Sequence, residues 1–441
     1  MNRRLQLMAV AALSCVVLGG CGSSPNTIRA GYVTGPDGTD GSAEAEAITS
    51  GIESYAAESS VQTRVYTASA DTEEAYAVQF DAAAEDGTSY VIASGENMEV
   101  PVYAAQNKHT KQKFLFLDGQ PRESREYEAT IRKNTECVKF SAADMGFITG
   151  YAAVRDGIRN VFYLGSTKEG EHLDAYNGFL SGVQYALDEQ SLSATMMTVS
   201  AEFAGSDELS PLRLSDALRA FDSGAELIVT DGQNLARAAG EAAVSRGAAV
   251  ATIGFDGREI SSGVLYGAVP DRAGAVEYLL TAFDADSSAF KGGSLVTLGA
   301  AEHAVMLAVD YAMFGSFTES GLQSIIDAIA DGTVTVYKPA AGDGTESGAG
   351  DPNAEAPHAF PVGEVAPVTP NANSGLGDAA AVTAETDASA EAAGTDETAA
   401  AEDAPVEEAE EDTGDAEDTG DEEDTGDEED TGDAEDTGDT E

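Results

Sequence analysis

"YVTGPDGTDGSAEAEA", Tyr32 to Ala47, starts as an apolar run, breaks into a Gly- and Asp-rich loop at Gly35 to Gly41, and resumes as an Ala-rich stretch of good helix propensity. A strand that ends at such a loop and restarts as a helix N-terminus turns backbone N–H groups and a positive dipole end toward whatever lies above it. This is the opening half of a βαβ unit. Outward from it, "IRAGYVT" (Ile28–Thr34), "VQTRVYTA" (Val61–Ala68), "SYVIAS" (Ser89–Ser94) and "KFLFLDG" (Lys113–Gly119) read as strands. Helical patterns at Ala45–Glu58, Glu73–Ala84 and Val100–Asn107 separate them. Strands alternating with helices of this length imply a parallel sheet with right-handed crossovers.

The rhythm restarts at "NVFYLGS" (Asn160–Ser166). It runs through helix Glu171–Asp188, strand "ATMMTVSAE", helix Ser210–Phe221, strand "ELIVT", helix Leu235–Ser245 and strand "AAVATIGFD". "GVLYGAV", a helix at Asp271–Phe283, "SLVTLG", a helix at Glu319–Ala330 and a closing strand "TVTVY" (Thr333–Tyr337) follow. These last elements are too few for a third domain. The fold class is therefore α/β, with two doubly wound parallel-sheet lobes joined by a hinge. Lobe 1 is expected over 29–140 and lobe 2 over 141–264, with 265–338 shared and three crossings between lobes. In such sheets a ligand sits beyond the carboxyl ends of the strands. The loops expected to face the cleft are Gly35–Ala43, Ser94–Met98, Gly165–Gly170, Asp231–Asn234 and Asp256–Glu259.

The two ends are of different character. Arg3 and Arg4, an apolar run from Leu5 to Leu18 and "LGGC" (Leu18–Cys21) read as a lipoprotein signal peptide over 1–20. Cys21 would carry lipid, 21–28 would be a linker, and the protein would be anchored to the membrane on its extracytoplasmic face rather than span it. Cys15 leaves with the signal peptide, so Cys137 stands alone, and a disulfide framework is excluded. From Pro339 onward lie 34 of the 79 acidic residues and none of the 23 Lys and Arg. That composition, ending in five copies of (E/A)EDTGD from Glu410, predicts a disordered, self-repelling tail over 339–441. Nucleic-acid binding, which needs clustered Lys and Arg, is disfavoured.

"VKFSAADMGFITGYAAV" (Val138–Val154), "YNGFLSGVQYA" (Tyr176–Ala186), "GAELIVTDG" (Gly224–Gly232), "TIGFDG" (Thr252–Gly257) and "FKGGSLVTLG" (Phe290–Gly299) are similar, in order and spacing, to the basic membrane protein family of lipoproteins. These are the nucleoside-binding components of ABC transporters. The resemblance implies the type I periplasmic-binding fold, a nucleoside-like ligand and an ABC permease as partner. It also implies polar ligands from the first loop with a Phe stacking on a purine. In this chain Gly35 stands at the family's first Asp position, Glu44 at the Phe and Ala45 at the Asn, while Asp37 and Asp40 keep the loop acidic. Asp256 matches the family's ribose-hydroxyl ligand, and the Lys expected near Pro270 is absent.

The candidate ligand-binding residues are accordingly Asp256, Asp231, Asn234, Asp37, Asp40, Glu44, Glu96 and Arg258. A turn or capping role competes at each Asp, and a solvated one at Arg258. No cofactor or metal is expected: the chain has no His-Glu-x-x-His, Cys-x-x-Cys, Gly-x-Ser-x-Gly or P-loop pattern, and its four His are scattered. The expected function is hinge closure on a small polar ligand, with a surface sensor of the same fold as first alternative and an extracytoplasmic hydrolase as second.

Overall fold

The computed structural model describes residues 28–337 and 358–364. The expected signal peptide, Cys21 and the acidic repeats lie outside them. Five strands form in succession: β1 (Ile28–Thr34), β2 (Gln62–Thr67), β3 (Tyr90–Ser94), β4 (Lys113–Leu117) and β5 (Thr135–Phe140). Helices α1 (Ala43–Ser59), α2 (Glu73–Glu85) and α3 (Glu99–Lys108) connect the first four. After α4 (Ala142–Arg155), the second series is β6 (Asn160–Gly165), α5 (Gly170–Glu189), β7 (Thr198–Phe203), α6 (Pro211–Asp222), β8 (Leu227–Thr230), α7 (Gln233–Arg246), β9 (Ala249–Ile253) and β10 (Val264–Pro270). The last elements are α8 (Arg272–Ala285), β11 (Ser294–Leu298), β12 (Val305–Val309), α9 (Glu319–Ala330) and β13 (Val362–Glu364).

The first sheet has the order β11-β5-β4-β3-β1-β2, every pair parallel. The second has the order β12-β10-β9-β8-β6-β7-β13, parallel except for the β10–β12 pair. Strand order reverses beside β1 and beside β6, so each sheet has a switch point where strand ends open a crevice. The chain passes between the sheets after β5, after β10 and after β11. Because the strands of each sheet are covered on both faces, they read as continuous apolar runs rather than alternating ones; β8, Leu227–Thr230, is buried at every position.

Two helices pack with unusual intimacy. A Cβ added at Gly146 of α4 would sit 2.0 Å from the Ala175 carbonyl oxygen, and one at Gly178 of α5 would sit 1.9 Å from that of Ala143. Gly150 and Gly182 repeat the arrangement one turn on. Four glycines at i, i+4 spacing thus let α4 and α5 touch backbone to backbone, with Phe147 and Phe179 fully buried beside them.

Three expectations need correction. "TVTVY" is not a strand: Val334 and Val336 are buried, giving the alternation, but the segment pairs with no ladder. Residues 358–364, expected within the disordered tail, are ordered against lobe 2. There β13 pairs with β7, Phe360 is 2 % exposed, and the Ala359 N–H donates to Gln184 Oε1 at 2.7 Å. An apolar Phe-Pro-Val triplet inside a polar tail suffices to dock, because it covers the otherwise open β7 edge. Finally, β5, α4 and β12 fall where no element was assigned from the element-by-element pattern.

Candidate functional site

Between the two series of strand ends lies a cavity of about 570 Å³. From lobe 1 it is lined by Asp118 and Gln120 after β4, Lys139 and Phe140 at the end of β5, and Glu96 and Glu99 beside α3. From lobe 2 it is lined by Glu171 and His172 in the first turn of α5, Asp231 and Gln233 after β8, and Phe255 after β9, with Arg272 at the lobe crossing. That volume lies within the range of small-molecule sites.

Asp118 and Arg272 form its charged centre. Arg272 Nε donates to Asp118 Oδ2 at 2.8 Å, and the guanidinium lies 5.4 Å from the Phe140 ring centroid. Burial pushes the Asp118 carboxyl above its ordinary range, against the opposing pull of Arg272. Asp118 takes φ 55°, a left-handed conformation that Asp tolerates better than most residues. Such a pair offers acceptor and donor groups side by side, suited to vicinal hydroxyls. Nearby, Arg122 Nε lies 2.7 Å from Glu99 Oε2, so that carboxylate is already neutralised.

On the facing wall, Asp231 is buried and fully engaged. It accepts from the Ser166 N–H at 2.7 Å, from Ser166 Oγ at 2.9 Å and from the Tyr163 hydroxyl at 3.3 Å. His172 Nδ1 lies 3.2 Å from its other oxygen. The Asp231 hydrogen bond raises the His172 pKa despite partial burial. Asp231 therefore holds the β6–α5 loop and orients His172, whose side chain is 43 % exposed. Lys139 Nζ and Glu171 Oε1, one from each lobe, meet at 2.8 Å across the cavity.

A second hollow of about 270 Å³ opens at the first Gly-rich loop, lined by Asp37, Glu44, Asp71, Tyr32, Tyr76 and Asn97 among others. Glu44 Oε1 accepts from Ser94 Oγ. The Tyr76 hydroxyl donates to Asp71 at 2.6 Å.

The structure thus brings Asp231 and Glu96 to the large cavity and Asp37 and Glu44 to the small one. Asp40, Asn234, Asp256 and Arg258 line neither. Asp256 is taken up by Arg258, whose Nε and Nη2 reach it at 2.8 and 2.6 Å. Burial opposes ionisation there, yet these bonds hold its carboxyl below the usual range. Asn234 anchors Asp207: its backbone N–H and that of Leu235 donate to Asp207 Oδ1 at 3.1 and 3.0 Å. The dipole end of α7 is therefore filled by the protein's own carboxylate. Asp118, Phe140, His172 and Arg272 went unassigned in the sequence; the one signal for Arg272 was the missing Lys two positions before it.

The family described as PnrA-like ABC transporter substrate-binding proteins matches residues 29–324. No curated protein matches the chain. Among solved structures, the chain is similar to an ABC transporter solute-binding protein of Conexibacter woesei DSM 14684, at 16 % identity over 70 % of this chain and 98 % of that one (TM-score 0.48). It is also similar to the arabinose binding protein AraP of Geobacillus stearothermophilus, at 9 % identity over 66 % and 100 % (TM-score 0.44). A transcriptional activator of the comK gene from Bacillus halodurans matches at 14 % identity over 68 % and 96 % (TM-score 0.44). With the family match spanning most of the folded chain, this protein belongs to the PnrA-like family of ABC transporter substrate-binding proteins.

Proposed function

We propose that the protein captures a nucleoside-like solute outside the cytoplasm and presents it to an ABC permease, held to the membrane by lipid on Cys21. The observation that carries this reading is the interlobe cavity, where the Asp118–Arg272 pair and the Phe140 ring share one wall. The ion pair suits sugar hydroxyls and the ring suits a flat heterocycle. Contacts from both lobes stabilise the closed state, and the permease recognises that state. The binding role involves no bond making, and the cavity presents no nucleophile activated by a base.

A thermal-shift panel of ribosides, free bases and sugars tests it. A riboside at about 100 times its Kd adds about 2.7 kcal/mol of stability, which raises the melting temperature by several degrees. Ribosides are expected to shift the melt more than their free bases; a panel without any riboside shift sinks the nucleoside assignment. For the anchor, Cys21→Ala is expected to move the protein from the detergent phase to the aqueous one or to leave an unprocessed precursor.

A further inference from the structure

The hollow at the first Gly-rich loop has a donor-hungry character. Asp37, Glu44 and Asp71 line it, and neither Lys nor Arg does. Acidity alone would be met by solvent cations. A second, independent feature is Tyr32: it is 5 % exposed, it lines the hollow, and among the described residues its hydroxyl has no hydrogen-bond partner. A buried hydroxyl in that condition is costly unless something completes it. Burial and the neighbouring Glu44 charge both push the Tyr32 phenol well above its ordinary pKa, so it stays neutral. Glu44 spends one oxygen on Ser94, and its other oxygen has no hydrogen-bond partner among the described residues. By contrast, Asp71 is already served by Tyr76 and Asn97.

We propose that this hollow receives an amino group of the ligand, with the Glu44 carboxylate as its acceptor and the Tyr32 hydroxyl as its second partner. An amine brings two or three N–H donors and no acceptor that these walls must match. The carboxylate and the phenol oxygen supply acceptors, and the negative wall favours the donor's partial or full positive charge. The hollow adjoins the large cavity through the β3–α3 loop, where Glu96 lines one and Asn97 the other. A single ligand spanning both would therefore place its amine in lobe 1. The inference rests on the nucleoside reading for the ligand's body and departs from it in choosing among ligands.

Matched pairs differing by an amine test it: guanosine against inosine, cytidine against uridine, and glucosamine against glucose, each titrated calorimetrically. The amino member of at least one pair is expected to bind about tenfold tighter or better, as a charge-assisted hydrogen bond allows. Glu44→Gln is expected to bring the ratio near one, and Tyr32→Phe to weaken the amino member alone. Both variants are checked for an unchanged melting temperature without ligand, and Tyr32→Phe decides the matter if Glu44→Gln does not fold. Nucleosides that bind equally with and without the amine overturn this inference and leave the nucleoside reading standing. Glucosamine binding without any nucleoside does the reverse. A panel in which nothing binds overturns both.

Discussion

Asp118 and Arg272, 154 positions apart, meet at 2.8 Å where the chain has just returned from lobe 2. Arg272 opens α8, which packs on α1 of lobe 1, so the pair ties a hinge strand to the end of β4. Closure of the lobes and the charge of the cavity are governed by the same contact.

Asp118→Asn separates the charge from the backbone, since Asn also tolerates φ 55°. It leaves Arg272 without its carboxylate in a part-buried setting. A loss of about 1 to 3 kcal/mol in stability is expected, together with at least a tenfold loss of riboside affinity. Urea unfolding and calorimetric titration measure the two; affinity equal to the wild type removes Asp118 from the site.

His172 gives a pH signature. Its pKa is raised in the folded protein, chiefly by Asp231. The stability it contributes is therefore fully present below the unfolded value of about 6.5 and is lost as the pH rises through the higher folded value. Urea midpoints between about pH 6 and about pH 9 are expected to fall less in His172→Gln than in the wild type. Parallel slopes in the two proteins would contradict the assignment.

The tail divides at β13. A chain ending at Lys338 loses Phe360 from the core, and burial of such a ring is worth about 1.5 to 3 kcal/mol. It is expected to melt several degrees lower and to associate through the bare β7 edge. A chain ending after Pro367 keeps β13 and is expected to melt with the full-length protein. Scanning calorimetry and light scattering on the two truncations separate these outcomes.

Gly146→Ala and Gly178→Ala each drive a methyl group into a backbone carbonyl at about 2 Å. Neither helix can yield without separating from its partner, so a cost above the usual 1 to 3 kcal/mol of overpacking is expected. Gly87→Ala, where a Cβ meets open space but φ is 69°, isolates the backbone penalty and is expected to cost about 1 kcal/mol. Soluble yield and melting temperature report the contrast.

The fold was legible because both lobes are built from repeated strand–loop–helix units, in which each local pattern agrees with its neighbours. The failures are instructive for the same reason. Thr333 to Tyr337 alternates because Val334 and Val336 face a core, and one-sided burial leaves the same mark as a ladder. In β12, antiparallel pairing to β10 leaves Met306 exposed between buried residues within a five-residue run. The site was legible only in part. Glu44 and Asp231 sit on loops that the βαβ rhythm points at the cleft, whereas Asp118 resembles a turn residue and Arg272 a helix-start residue. Nothing local joins 118 to 272; the return crossing does. Asp256 shows the converse, a residue with the right neighbours in sequence whose carboxylate is spent two residues away on Arg258.

The first sheet ends in β11, and its helix α8 packs so closely on α1 that a Cβ at Gly51 would lie 2.4 Å from the Ala273 carbonyl oxygen. During synthesis, therefore, the amino-terminal lobe stays unfinished until all of its neighbour has been made and residue 298 has followed. Until then β5 is an open parallel edge and the apolar face of α1 has no cover. Such late, sequence-distant pairing is slow and prone to association. A chaperone that guards this chain in transit is expected to bind within residues 28–140, and a fragment cut at Phe140 is expected to aggregate rather than fold.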